Sequence, residues 1–174
     1  MQGGRPDVRD RWVLFDWGGT LMSEEGPVDV PMALWPEVHA LPGARETLAM
    51  LAPRYRLGVA TNASVSPRNL IELALGRVGL RDLVDDVFCY TDIGARKDED
   101  AFWRAVMERC GVEPSDVVMI GDSYEQDVLA PRSFGVHAIL YSPRGELFSG
   151  AVPAVRELPE AVPLVDRHFA AHPR

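Results

Sequence analysis

Val13-Leu14-Phe15-Asp16-Trp17-Gly18-Gly19-Thr20-Leu21 is the stretch on which the reading of this chain turns. Three apolar residues run into an aspartate, and two glycines and a threonine then turn the backbone sharply, which delivers a carboxylate at the carboxyl end of a buried strand. Open α/β sheets bind ligands at that edge. Taken alone, the aspartate reads equally as a helix cap or a turn residue.

Outward from it, short apolar runs recur at residues 57–61, 87–90, 117–120 and 136–140, each bounded by turn residues. Between them lie stretches of helical period: Pro42-Gly43 opens one through Leu51, a second covers 67–78 and is closed by Gly79, a third runs from the acidic start Asp98-Glu99-Asp100 to Cys110, and a fourth covers 125–134. Residues 80–85 predict a helical turn and residues 91–96 a loop. Residues 22–40, with Gly26, Pro27, Pro31 and Pro36, predict an irregular excursion with one helical turn near Trp35. Residues 154–169 predict an edge strand and a covering helix, and residues 1–10 a mobile tail. Strands alternating with helices in this way imply an α/β fold, a three-layer, doubly wound, Rossmann-like parallel sheet with helices on both faces, in one domain spanning 1–174.

Composition bounds the function. The 174 residues are 47% hydrophobic and 25% charged, an ordinary globular balance. A formal charge of −8 argues against a nucleic-acid or anionic-membrane surface, which would need a basic face. No apolar run reaches the length of a membrane span and the first residues lack the apolar core of a signal peptide, so the expected location is the cytoplasm. Cys89 and Cys110 lack metal-ligand spacing and are expected to be buried, reduced thiols; the four histidines show no ligand spacing either. Of eighteen basic residues seventeen are arginine and Lys97 is the single lysine. A site that needs a compact ammonium on a slim stem would retain a lysine where a planar guanidinium does not fit.

Asp16, Thr61 and Asp122 each fall just past the carboxyl end of a predicted strand, and Lys97 falls in a loop leading into a helix, so all four can meet at one sheet edge. Singly, Thr61-Asn62 merely ends a strand, and Asp122 and Asp127 cap the helix that follows them. With these residues in this order the chain resembles the haloacid dehalogenase superfamily of phosphohydrolases. The resemblance is carried by FDWGGTL (15–21), VATNAS (59–64), Lys97 after Gly94 and GDSYEQD (121–127), and covers roughly residues 13–140.

The resemblance implies a chemistry. Asp16 would attack phosphorus to form a phosphoaspartate that water then hydrolyses. Mg²⁺ would be held by Asp16, Asp122, the backbone carbonyl of Gly18 and waters, with Asp127 helping directly or through water, an all-oxygen shell that suits a hard ion. Thr61 and the backbone at Gly18 and Gly19 would bind the phosphoryl group, Lys97 would neutralise it and steady Asp16, and Asn62 would position substrate.

One departure stands out. Most phosphatases of this superfamily carry a second aspartate two residues after the nucleophile, as acid to the leaving group and base for water; here that position is Gly18. Losing a general acid or base costs about 10² to 10⁴ in rate. The expectation is therefore an enzyme that is weak or restricted in leaving group, with a lingering phosphoenzyme. The rival expectation is a catalytically impaired relative that binds metal and phosphate and serves as a binding or regulatory partner. Haloalkanoic acid dehalogenases and phosphonate hydrolases need a helical cap, for which residues 22–40 are too few, and the latter need a second lysine. A nearly capless cleft stays open, which points to a phosphorylated small molecule or macromolecule as substrate, or to a homo-oligomer in which a second copy covers the cleft.

Overall fold

The computed structural model describes residues 10–146 and 151–173. The tail expected at 1–10 therefore lies, except for Asp10, outside the described residues. Six parallel strands form the sheet: β1 (Trp12–Phe15), β2 (Arg56–Thr61), β3 (Asp86–Cys89), β4 (Val117–Gly121), β5 (His137–Tyr141) and β6 (Ala154–Val155). Their spatial order is β3-β2-β1-β4-β5-β6. The chain steps outward from β1 to β3, then returns to the other side of β1 as β4, so the order reverses beside β1. Such a switch point opens a crevice at the carboxyl ends of the strands.

Register places the ends of three strands together. Phe15 pairs with Val59 of β2 and with Ile120 of β4. Asp16, one residue on, is level with Ala60, next to last in β2, and with Gly121, the last of β4, and its amide still donates to the Ile120 carbonyl at 2.9 Å. β1 is buried throughout because both sheet faces are covered. Val13 and Phe15 join a core with Leu48 of α1 (Ala44–Leu51), Ile71 of α2 (Arg68–Arg77) and Phe169 of α6 (Ala161–Ala171). Trp12 and Leu14, pointing the other way, pack with Phe102, Trp103 and Val106 of α4 (Asp100–Cys110). The edge strand and covering helix at the C-terminal end form as the pattern predicts.

Two elements differ from the expectation. Residues expected as a loop begin with one helical turn, α3 (Tyr90–Ile93), closed by Gly94 at φ 76°. Four residues are too few to display a helical period. The predicted helix over 125–134 is π-helical at Tyr124–Leu129 and α-helical only in α5 (Ala130–Phe134). The Ala130 amide donates to the Glu125 carbonyl, five residues back, and Pro131, which has no amide to give, follows at once. Single π turns concentrate at functional sites, and this one carries Asp127. Both cysteines are free thiols, but only Cys89 is buried; Cys110, at the end of α4, is half-buried. No helix among the described residues is long and apolar enough to cross a membrane.

Residues 22–40 are fastened rather than loose. A bridge between Met22 and Ala40 closes the base of the excursion, and the Ser23 amide donates to the His39 carbonyl at 2.9 Å. Within it the indole of Trp35 donates to the carbonyls of Val30 (2.8 Å) and Pro27 (3.1 Å). Arg77, at the end of α2, donates to the carbonyls of Ala33, Trp35 and Pro36 at 2.6 to 3.0 Å. The excursion thus forms a fixed wall of the crevice.

Candidate active site

The turn after β1 sets the site. The Trp17 carbonyl accepts the amides of Leu21 (3.0 Å) and Met22 (2.9 Å), and Gly19 adopts φ 78°, which a side chain would strain. Asp16 is thereby left at the strand end facing the crevice. From the other side of the sheet Lys97 reaches in, only 1% exposed, and its Nζ donates to Asp16 Oδ1 at 2.7 Å and to Asp127 Oδ1 at 2.6 Å. The Lys97 backbone is pinned at both polar atoms: its amide donates to Asn62 Oδ1 at 2.8 Å and its carbonyl accepts the indole N–H of Trp103 at 2.7 Å.

Asp127 is fully buried behind this pair, its second oxygen accepting the Ser123 amide at 3.0 Å. Only glycine fits at position 121, because a Cβ there would come within 2.6 Å of Asp127 Cβ. Asp122 lies toward solvent and accepts the Thr20 hydroxyl at 3.2 Å. The Thr61 hydroxyl accepts the Ala63 amide at 3.1 Å, and the Asn62 amide group donates to Gln126 at 3.0 Å, tying the end of β2 to the π turn.

The charges do not balance. One carboxylate oxygen each from Asp16, Asp122 and Asp127 lie within 4.8 Å of one another. Three carboxylates against one ammonium leave the site short of two positive charges, the charge of one divalent cation. The titration behaviour has the same cause. Asp122 is pushed up to about 7, first by the partial burial of its carboxyl and then by Asp16. Asp127 is pushed up by burial and by Asp16, with Lys97 and the Ser123 amide pulling it back in part. Burial pulls Lys97 down, and Asp16 and Asp127 more than offset this, leaving it above the ordinary lysine range. The upward shifts at both ends of one ion pair are compatible because one ammonium serves a surplus of anions. An all-oxygen, electron-rich donor set of this kind fits a hard divalent ion such as Mg²⁺.

All the residues expected at the site come to one region. Asp16, Gly18, Thr61, Asn62, Lys97 and Asp122 line one cleft, Asp127 lies directly beneath it, and Gly19 lines an adjoining groove on the other side of Asp122. The excursion adds Val28, Val30, Met32 and Trp35 as one wall. It also adds Glu24, absent from the sequence reading, whose carboxyl is pushed up by burial and then by Asp16. Glu24 belongs to no motif and to no regular element, so nothing in the sequence pointed to it. Thr20 and Gln126, the partners of Asp122 and Asn62, lay inside the quoted motifs without a role being evident.

Comparison with known proteins identifies the family. Residues 28–135 match the family model for the haloacid dehalogenase-like hydrolases, and the chain belongs to that family. It is similar to a phosphoglycolate phosphatase of Rhodospirillum rubrum, with 36% identity over 102 residues, covering 58% of this chain and 41% of that protein. It is also similar to a ribulose-1,5-bisphosphate 5-phosphatase of Halopiger xanaduensis, with 30% identity over 112 residues, covering 63% of this chain and 45% of that one. The chain thus spans less than half the length of these two relatives. A crystal structure of a protein from Listeria monocytogenes serotype 4b shares the fold with a TM-score of 0.78 at 22% identity, over 90% of this chain and 99% of that one.

Proposed function

We propose that the chain is a Mg²⁺-dependent phosphohydrolase that works through a phosphoaspartate at Asp16. The observation that carries this is the buried Lys97 bond to Asp16 beside Asp122 and Asp127, a carboxylate held at a sheet switch point in a cluster two positive charges short. Mg²⁺, held by Asp16, Asp122 and the Gly18 carbonyl, would neutralise phosphoryl oxygens so that an anionic ester can approach an anionic nucleophile. Asp127 already accepts two hydrogen bonds, so its natural part is to hold Lys97 and to bind the ion through water.

The residues of the chain divide the remaining work. Lys97 keeps Asp16 ionised and aimed, and offsets charge on the transferring group as it moves. The Thr61 hydroxyl, oriented by its bond from the Ala63 amide, donates its proton side to a phosphoryl oxygen. Asn62 fixes the Lys97 backbone and so the height of the ammonium. Asp16 Oδ forms a bond to phosphorus as the ester P–O bond breaks, and water then attacks phosphorus and returns the Asp16 carboxylate.

The cleft also limits the substrate. Among its lining residues Lys97 is the one lysine or arginine, and the walls present Val28, Val30, Met32, Trp35, Ala63 and Val65. This favours a monoester, free or on a macromolecule, whose organic part is apolar and carries no second anionic group. Cytoplasmic location and a second copy covering the cleft belong to the same proposal. The alternative, a metal- and phosphate-binding partner protein without turnover, draws its support from Gly18, which offers no proton donor of its own. The test is release of phosphate from acetyl phosphate and phenyl phosphate with Mg²⁺, by the unaltered protein and by Asp16→Asn. Release that needs both Mg²⁺ and Asp16 is expected; no release from the unaltered protein would favour the partner reading.

A further inference from the structure

We infer that Glu24 is the proton-transfer residue of this site, standing in the space that a side chain at position 18 would otherwise fill. This rests on the phosphohydrolase reading above. A Cβ built on Gly18 would come within 2.8 Å of Glu24 Cδ and 2.9 Å of Cγ, and closer still to Oε1. The Glu24 carboxyl therefore lies directly over the second residue after Asp16, in space that the glycine leaves open and from which a side chain at 18 would displace it.

Three further observations give Glu24 the means to act. It lines the same cleft as Asp16, Thr61 and Lys97. The turn that carries it is fixed, with the Gly26 amide donating to the Glu24 carbonyl at 2.9 Å and the Glu25 amide to the Ser23 hydroxyl at 3.3 Å. Its carboxyl group has no hydrogen bond or ion pair to any described residue, so both oxygens are free for substrate and water. Asp86, by contrast, is engaged by the guanidinium groups of Arg68 and Arg109.

The steps balance. As Asp16 bonds to phosphorus and the ester bond breaks, its electron pair passes to the leaving oxygen, which takes the Glu24 proton and departs as an alcohol. Water then attacks phosphorus and gives a proton to the Glu24 carboxylate. The bond from phosphorus to Asp16 breaks with its electron pair returning to Asp16, and inorganic phosphate leaves.

The test compares the full chain with Glu24→Gln, with Gly18→Asp combined with Glu24→Ala, and with Asp16→Asn, each with Mg²⁺, on phenyl phosphate, p-nitrophenyl phosphate and acetyl phosphate. Glu24→Gln should lose about 10² to 10⁴ on phenyl phosphate and less on p-nitrophenyl phosphate, whose leaving oxygen needs no proton. With acetyl phosphate, Glu24→Gln should accumulate phosphorylated Asp16, detectable by mass spectrometry of the denatured protein, because the water step lacks its base. The double variant should recover about tenfold or more of the loss on phenyl phosphate. If the unaltered protein shows Asp16-dependent turnover while Glu24→Gln keeps its rates and accumulates no phosphoenzyme, this inference falls and the phosphohydrolase reading stands. If the unaltered protein shows no Asp16-dependent turnover, both fall.

Discussion

Lys97 Nζ lies 2.7 Å from Asp16 Oδ1 with the lysine almost wholly buried, so the reach of one side chain couples the end of β1 to the loop before α4. The same ammonium holds Asp127 at 2.6 Å, and through it the π turn after β4. Three segments far apart in sequence are thus joined through one ammonium group.

Removing it should unfasten the site. Breaking a buried ion pair by deleting one partner costs about 3 to 5 kcal/mol, because the remaining charge is left uncompensated. Lys97→Met is expected to lower the denaturation midpoint markedly without Mg²⁺ and less with it, and to abolish phosphate release. Lys97→Arg should not restore activity, since a guanidinium is too broad for the slot. An unchanged urea midpoint for Lys97→Met would refute the coupling.

Metal affinity should depend on pH in a definite direction. Asp122 is raised to about 7 in the folded protein against an ordinary value near 4. A carboxyl raised by folding binds its proton more tightly when folded, so its effect on stability is most favourable below about 4 and is lost as pH climbs through about 7. Mg²⁺ must displace that proton, so the rise in melting temperature on adding Mg²⁺ should grow from pH 5 to pH 8. Asp122→Asn should stabilise the metal-free protein at pH 8 relative to pH 5 and flatten the response to Mg²⁺. A Mg²⁺ shift that is equal at both pH values would count against the assignment.

Gly121→Ala tests the close approach of the strand end to Asp127. The added methyl would meet Asp127 Cβ at 2.6 Å and its carboxyl more closely. Overpacking of this kind typically costs about 1 to 3 kcal/mol, and here it also pushes Asp127 off Lys97. The expected result is a lower melting temperature together with weakened Mg²⁺ stabilisation; loss of stability with Mg²⁺ binding intact would show that Asp127 does not serve the ion.

Charge in the cleft should select among substrates. With Lys97 the one lining lysine or arginine and already paired twice, a second phosphate or carboxylate on the substrate finds no cationic partner among the lining residues. The value of kcat/KM for phenyl phosphate is expected to exceed that for phosphoglycolate by about tenfold or more, as a buried unpaired anion costs at least about 1.4 kcal/mol. Phosphoglycolate and ribulose 1,5-bisphosphate name two of the similar proteins, so equal or better use of either would reverse this reading of the walls.

The sequence by itself determined the doubly wound sheet and the residues that converge on its edge. Buried parallel strands must be short and apolar on both faces, and a polar residue at the end of such a run has one place to go; Asp16, Thr61 and Asp122 were legible for that reason. Lys97 was legible through its isolation among seventeen arginines. The tertiary structure alone decided the rest. α3 and the π turn follow from a glycine cap and a proline whose effects depend on neighbouring turns, and the period of the sequence does not register them. Glu24 sits in an irregular segment with no period to read, six residues from Gly18 along the chain, and long-range contacts such as the bridge from Met22 to Ala40, the Ser23–His39 bond and the Arg77 bonds fix where that segment lies. The glycine at 18 is visible in the sequence as a missing side chain; that a glutamate fills its space is a matter of distance, which a one-dimensional pattern does not contain.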